Sequence, residues 1–441
     1  MDNAKIDKMN LFYFKDHRIK KNDIPDNVLF ILKKLKDSGF LSFLVGGCVR
    51  DLLLKRPVRD WDILTDAKPK DINMVFSEYQ TLMIGKSFQT VTIVLNHKAY
   101  QISTFRNCSN QNSHDDQGDI FQIVKDDLLY RDFTINSMAW NQDKGLLDPA
   151  NGLRNLSQKV LQSIDPDIRF KEDPLRMLRA IRIACDLTFA LSPTIKKSIL
   201  KHAFLIHYVS PERIMREICF ILNSLDTKRG ISLLQQFGFE RYIFSIDRIK
   251  KMQRTKGDKK KIFWSAADKL KEDLPARLAL WGRLYFGSCQ DARLFYVPII
   301  KYLRFKKKTT EAVKILLGRE WQDIDFSSSV KIRFLIAQFG RENTELMMSL
   351  KEILLLSKND ISQKNKSKME KMLLDKEFQE NHPVKLTDLA INGDDLIKIG
   401  LFESKKVGEI LDIALEEVLL HPENNHKDYL IKFAQEMINK I

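Results

Sequence analysis

The sequence predicts an α+β protein: a mixed-sheet head of about 150 residues followed by an array of helices. Two observations predict this. Up to about residue 150, short β-branched and aromatic runs recur between turn signals, whereas beyond Leu156 apolar positions recur at the helical period. The chain has 441 residues, 44% of them hydrophobic, which at about 100–200 residues per domain predicts two to four units. The expected divisions are a head over 1–156, a helical neck over 157–228, a helical body over 229–380 and a helical tail over 381–441.

Taken in order, Ser42–Val45, Trp61–Leu64, Thr90–Leu95 and Tyr100–Phe105 read as strands, with Asn96-His97-Lys98 as a hairpin turn between the last two. The polar run from Asn107 to Asp119 contains almost nothing that packs and reads as a mobile loop. Leu175–Leu187, Pro211–Leu225 and Ile410–Leu420 carry the apolar spacing of packed helices. Two Lys-rich stretches, Lys251–Lys261 and Lys358–Lys371, read as linkers or exposed loops. No repeat of fixed period is evident.

The composition narrows the class. Five cysteines lie far apart, without a CxxC pair or histidines at zinc-ligand spacing, so a reducing compartment is expected. No apolar run reaches the length of a signal peptide or a membrane span, and the expected location is cytoplasmic, without a membrane or an obligate protein partner. The net charge of +15 points to a polyanionic partner, nucleic acid above all, with a solvated Lys-rich surface as the equal alternative. That charge is uneven. Residues 1–150 hold 21 Lys+Arg against 20 Asp+Glu and residues 381–441 hold 7 against 11, which leaves 45 against 27 in residues 151–380. The positive excess thus sits on the helical middle, where a nucleic-acid backbone would be gripped without sequence being read.

The most informative stretch runs from Phe43 to Thr65. A strand enters Gly46-Gly47 and an amphipathic helix follows from about Cys48. Paired glycines admit a close approach of backbone, and a helix start presents unpaired N–H groups to an anion. Arg50 in the first turn adds a fork of donors for phosphate. A plain tight turn is the alternative. In Asp60-Trp61-Asp62, strand geometry projects both carboxylates from one face and turns Trp61 to the other to be buried. Hard oxygen donors so placed suit Mg²⁺, and two such ions about 3.5–4 Å apart stabilise both oxygens of an in-line phosphoryl transfer. A solvent-facing acidic edge is the alternative reading.

With GGCVRD (Gly46–Asp51) and DWD (Asp60–Asp62) joined by RDFTINSMAW (Arg131–Trp140), LLDPANG (Leu146–Gly152), RFKEDPLRMLRAIR (Arg169–Arg182) and SPERIMREI (Ser210–Ile218), the sequence resembles the class II nucleotidyltransferases, which comprise tRNA CCA-adding enzymes and bacterial poly(A) polymerases. The motifs come in the family's order over roughly residues 40–225. DLAINGDDLIKIG (Asp388–Gly400), with VGEIL and HPENNHKDYL behind it, resembles the tail of the tRNA-specific members, and Gln89-Thr90-Val91-Thr92 points the same way. The resemblance implies a nucleotidyltransferase head, a neck that recognises the base and a tRNA-binding tail. It implies template-independent addition of CCA to tRNA from CTP and ATP, with Asp60 and Asp62 holding Mg²⁺ and Gly46, Gly47, Arg50, Arg131, Asp132, Asp173, Arg176 and Arg179 binding the nucleotide. Ser210, Glu212 and Arg213 match a motif that braces the neck.

Asp173 and Arg176 also admit an argument from hydrogen bonding. Spaced i, i+3, they share a face of one helix. A carboxylate accepts and a guanidinium donates, which fits the amino group and adjacent ring nitrogen of cytosine and adenine. Uracil and guanine put a carbonyl where the amino group should be and leave buried groups unpaired. The competing reading makes Asp173 a helix N-cap with Pro174 at the first helical position, and Arg176, Arg179 and Arg182 a solvated face.

Several positions depart from the family pattern. Tyr130 precedes Arg131-Asp132 where Arg is usual, Ala150-Asn151 replaces Phe-Gly after Asp148-Pro149, and the 107–119 loop lacks arginines. An A-adding specialist and a poly(A) polymerase remain the alternatives, with a catalytically silent RNA-binding protein opposed by the intact carboxylate pair. A phosphohydrolase of the HD type is not supported, because His114-Asp115 lies in the polar loop without partner histidines.

Overall fold

The computed structural model describes residues 13–14, 19–83, 90–105, 117–243, 270, 273–356, 361–401 and 404–438. It contains two compact units, Met1–Val209 with Gln236–Phe239, and Ser210–Gln235 with Glu240–Ile441.

The first unit holds an eight-stranded mixed sheet. In chain order its strands are β1 (Tyr13–Phe14), β2 (Ser42–Val45), β3 (Asp62–Thr65), β4 (Gln80–Met83), β5 (Thr90–Leu95), β6 (Lys98–Thr104), β7 (Ala139–Asn141) and β8 (Gly145–Leu147), arranged β1-β8-β7-β2-β3-β6-β5-β4. Among the described strands of this sheet, only β3 and β6 pair in parallel, with Asp62 opposite Gln101 and Thr65 opposite Thr104. Strand β2 is buried along its whole length. It is the continuous apolar run expected of a strand covered on both faces. Phe43 and Val45 point into a cluster with Leu64, Phe105, Ala139 and Leu147, closed by Val124 and Leu128 of the Gln117–Leu129 helix.

The hairpin between β5 and β6 pairs Leu95 with Lys98, so its loop is the two residues Asn96 and His97, both at positive φ (48° and 61°). That is the conformation the right-handed twist of a two-residue hairpin demands.

Three expectations are corrected. Gln117–Asp119, the end of the predicted loop, begin a helix; the rest of that loop, with His114-Asp115, lies outside the described residues. Of Lys358–Lys371, residues 361–371 form the first half of the Ile361–Glu380 helix. The charge there suggests a break, yet Lys, Gln, Met and Glu are strong helix formers, and Ser367 and Glu370 are buried while Lys366 and Lys368 are exposed. Beyond Leu156 the chain is not wholly helical, since β9 (Val160–Leu161) and β10 (Ala190–Leu191) pair in parallel. The Lys251–Lys261 stretch lies outside the described residues.

The second unit is helical. Its C-terminal part has a core of its own, in which Ile391, Leu396, Leu401, Ile410, Ala414, Val418, Leu430 and Ala434 pack together. Cys48, Cys185, Cys219 and Cys289 are free thiols. No described helix is long and apolar enough to cross a membrane.

Candidate nucleotide site

Strand β2 delivers the chain to Gly46, which adopts φ 78° and caps the Gly47–Leu53 helix. A side chain is doubly unwelcome there: a Cβ would lie 2.9 Å from Arg131 Nη1 and 3.8 Å from Asp62 Oδ2, and positive φ favours glycine. Helix residues Cys48, Val49 and Leu52 are buried, fixing the turn against the sheet. The Cys48 thiol lies close to the carbonyl of Val45 and is pushed up to about 12 by burial. It is a packing group without nucleophilic character.

Asp62 opens β3 and is half-buried, and Asp60 lies two residues before it, exposed and outside the strand. Trp61 is only half-buried, which corrects the expectation of a buried tryptophan: β3 starts one residue later than predicted, so Trp61 is not held against the sheet. Burial raises the Asp62 carboxyl above its ordinary range, Asp60 adds to the rise, and Arg131 and Arg179 oppose it. Neither carboxylate accepts a hydrogen bond within the described residues. A half-buried carboxylate with uncommitted oxygens, beside a second one, is a donor set that fits a divalent cation such as Mg²⁺.

Arg50 projects from the helix, where its Nε and Nη2 meet the two oxygens of Asp51 at 3.0 and 2.9 Å. Its Nη1 donates to Asn136 Oδ1 at 2.8 Å. The guanidinium predicted as a phosphate fork is therefore braced by its neighbours beside Gly47, 3.6 Å from where that residue's Cβ would be.

Arg131 and Asp132 follow the Gln117–Leu129 helix. Arg131 lies 3.6 Å from Asp127 and stands over Gly46. Asp132 is buried and accepts from Asn136 Nδ2 at 3.1 Å, from its following backbone N–H at 2.9 Å, and from Arg179 Nε and Nη2 at 2.8 and 2.6 Å. Burial by itself raises its carboxyl, but Arg179, Asn136 and Arg176 together hold it below the ordinary range.

Asp173 and Arg176 do not share a helix face. Asp173 is extended (φ −144°, ψ 97°) and ends the Pro166–Glu172 helix, and the next helix, Leu175–Asp186, is entered through Pro174. A residue before proline is driven out of the α region, an effect that spacing alone does not carry. The Asp173 carboxylate accepts from the Leu175 N–H at 3.2 Å, the bond that the capping alternative, with Pro174 at the first helical position, calls for. Arg176 Nη1 pairs with Glu172 at 3.2 Å, and Arg169 binds the same carboxylate.

The structure thus gathers Gly46, Asp62, Arg131, Asp132 and Arg179, with Asp60 and Arg176 close enough to act on these carboxylates electrostatically. Sequence reasoning missed Asn136, Asp51, Asp127 and Glu172. Asn136 carried a signal: a polar residue between Ile135 and Met138, in a run whose apolar members are all buried, must find hydrogen-bond partners. In the Asp148 loop, that carboxylate accepts from the N–H groups of Gly152 and Leu153 at 2.7 and 2.9 Å. Asn151 adopts the left-handed conformation there (φ 57°), so it serves where glycine is usual.

Residues 42–162 match the poly A polymerase head domain, 188–246 the RNA and SrmB-binding site of polymerase A, and 304–434 the tRNA nucleotidyltransferase domain 2. A CCA-adding enzyme of Geobacillus sp. (strain WCH70) is 30% identical over 407 residues, covering 91% of this chain and 94% of that one. A CC-adding tRNA nucleotidyltransferase of Halalkalibacterium halodurans is 33% identical over 243 residues, 54% of this chain and 60% of its own. The Bacillus stearothermophilus CCA-adding enzyme in complex with CTP shares the fold, with a TM-score of 0.72 at 24% identity over 94% of this chain and 97% of that one. The Thermotoga maritima CCA-adding enzyme complexed with tRNA does so with a TM-score of 0.57 at 18% identity over 98% of each. Together with the ordered motifs and the gathered head residues, these likenesses show that the chain is a tRNA nucleotidyltransferase and belongs to the class II family of CCA-adding enzymes and poly(A) polymerases.

Proposed function

We propose that this protein builds or repairs the CCA end of tRNA from CTP and ATP, without a template and in a cytoplasmic setting. The tRNA 3′-hydroxyl attacks the nucleotide α-phosphate in line, and pyrophosphate leaves. The observation that carries this reading is Asp62, whose carboxylate lies beside the Gly46 turn, 3.8 Å from where a Cβ there would be, with Arg131 and the second carboxylate, Asp60, both near enough to act on it electrostatically. Two Mg²⁺ bound to Asp60 and Asp62 would supply the positive charge that favours the attacking alkoxide and the leaving oxygen. The chain's own groups do the rest. Gly46-Gly47 leave room for the triphosphate, Arg131 and Arg50 add positive charge at its edge, and Asp132 with Arg179 forms one wall. Asp173 and Arg176 would read the base, accepting from the amino group and donating to the ring nitrogen of C or A.

The match of 304–434 to a tRNA nucleotidyltransferase domain, and a relative aligned over nearly the whole chain, favour tRNA over poly(A) addition. The CC-adding relative keeps a divided task as the second reading, in which this chain adds only part of the sequence. Incubating the protein with tRNA ending at the discriminator base, in –C and in –CC, with CTP and ATP offered separately and together, distinguishes them by product length. CCA addition extends all three; a CC-adding enzyme extends the discriminator and –C ends with CTP and leaves –CC unchanged; an A-adding specialist extends only –CC, by one residue; a poly(A) polymerase gives long A tails. Replacing both Asp60 and Asp62 with Ala should abolish incorporation while tRNA binding persists, and full activity in that variant would remove the metal assignment.

A further inference from the structure

We propose that Asn136 is a positioning residue that sets the register between the phosphate-binding turn and the base-reading helix. This rests on the nucleotide reading above. Asn136 is 6% exposed and stands at the centre of an unbroken chain of hydrogen bonds, Asp51 to Arg50 to Asn136 to Asp132 to Arg179. Its Oδ1 accepts from Arg50 Nη1 at 2.8 Å and its Nδ2 donates to Asp132 Oδ1 at 3.1 Å. Charge along the chain runs negative, positive, neutral, negative, positive. The central member must therefore accept from a cation on one side and donate to an anion on the other. A primary amide does both at once, whereas an ionised carboxylate only accepts and a lysine only donates.

The two ends serve different parts of a nucleotide. Arg50 belongs to the Gly47–Leu53 helix beside the glycine turn, and Arg179 belongs to the Leu175–Asp186 helix that also carries Arg176. Asn136 touches neither the phosphate nor the base in this reading. It fixes the rotamers of Arg50 and Asp132, and Asp132 in turn fixes Arg179 through both donors. Loosening that joint lets the base-reading helix shift against the turn, and a misplacement of about 1 Å can cost about a hundredfold in rate.

The test uses the full-length protein with tRNA ending in –CC and each of ATP, CTP, UTP and GTP. Asn136→Ala should lower the kcat/KM preference for ATP over GTP by about tenfold or more, with the KM for tRNA unchanged. Asn136→Asp, which retains the shape and the acceptor but sets a carboxylate against Asp132, should lose at least as much. Asn136→Ser, with a hydroxyl able to donate and accept, should recover part of the preference. Should Asn136→Ala not fold, Asn136→Ser and Asn136→Asp are compared directly. A fall in melting temperature with base preference unchanged overturns the positioning role and leaves Asn136 a structural residue. Failure of the wild-type protein to incorporate C or A on any tRNA end overturns the underlying nucleotide reading instead.

Discussion

Arg179 donates through both Nε and Nη2 to a single oxygen of Asp132, at 2.8 and 2.6 Å, across 47 residues of sequence. The arrangement leaves the other Asp132 oxygen to Asn136 and a backbone N–H. Asp132 is buried, whereas the Arg179 side chain is 35% exposed, so the carboxylate depends on the pair more than the guanidinium does.

That asymmetry has a pH signature. Because the folded Asp132 carboxyl lies below its ordinary value of 3.8, its stabilisation is fully present above that value and is lost as pH falls through the folded one. Asp132→Asn should therefore lower stability at pH 7 by about 2 kcal/mol or less, given the partial exposure of Arg179, and the loss should shrink below about pH 3.8. Urea unfolding of both proteins from pH 7 to pH 3 checks this. An equal difference at both ends would show that Asp132 contributes through shape and not charge.

Gly152 is required by its close neighbours. A Cβ there would lie 2.5 Å from the Thr134 carbonyl oxygen and 3.0 Å from the Met138 side chain. The oxygen is backbone and yields little, so Gly152→Ala should cost about 1–3 kcal/mol, as overpacking does. At the neighbouring Asn151, already in the left-handed region, Asn151→Gly should be nearly neutral and Asn151→Val should cost about 1–2 kcal/mol. Thermal melts of the three variants order these effects.

Where one local rule dominates, the sequence was legible. Ser42–Val45 and Thr90–Leu95 form strands at the predicted bounds, because each is a β-branched or aromatic run ended by a turn residue. β7 and β8, three residues each, are too short to show a period, and they lie in a run that reads equally well as packed core. Lys358–Lys371 misled because charge pattern and helix propensity pointed in opposite directions, and burial of Ser367 and Glu370 decided the outcome. In the candidate site, Gly46, Asp62, Arg131, Asp132 and Arg179 lie near one another although their motifs are far apart in the chain. The partners that fix them do not follow from spacing: Arg50 and Asn136 meet across 86 residues, and Asp173 leaves its helix because Pro174 follows it.

In the second unit, Arg333 holds the end of the Ser404–Leu420 helix, donating through Nε to the Leu419 carbonyl at 2.7 Å and through Nη2 to that of Leu420 at 3.3 Å. Its Nη1 pairs with Glu377 at 3.1 Å, and both side chains are nearly fully buried. Glu377→Ala would strand a buried guanidinium, a change that costs about 3–5 kcal/mol. Arg333→Lys should not substitute, since one ammonium cannot span three acceptors held in a planar fork. Chemical denaturation reads both; a loss below about 1 kcal/mol for Glu377→Ala would mean that water reaches Arg333 once its partner is gone.

The charge excess of the helical middle includes one segment that stability does not explain. Lys301, Tyr302, Arg304, Lys306, Lys307 and Lys308 are exposed, while Leu303 and Phe305 between them are buried. Lys306 caps the Lys307–Leu316 helix and Lys307 opens it, so cations stand at the positive end of the helix, where each costs about 0.3–1 kcal/mol. A surface selected only for solubility would place acids there. Lys306→Asp with Lys307→Glu should therefore move two properties in opposite directions. The melting temperature should rise, because a side-chain cap and a favourable charge replace two unfavourable ones. Binding of tRNA should weaken, and the slope of log affinity against log salt should become shallower by about 0.7–0.9 for each phosphate that is no longer neutralised. The KM values for CTP and ATP should not change, because the residues proposed to bind the nucleotide lie outside this segment. Calorimetry and tRNA binding between low and moderate salt measure both arms, and unchanged tRNA affinity in a stabilised variant would make these lysines bystanders to RNA recognition.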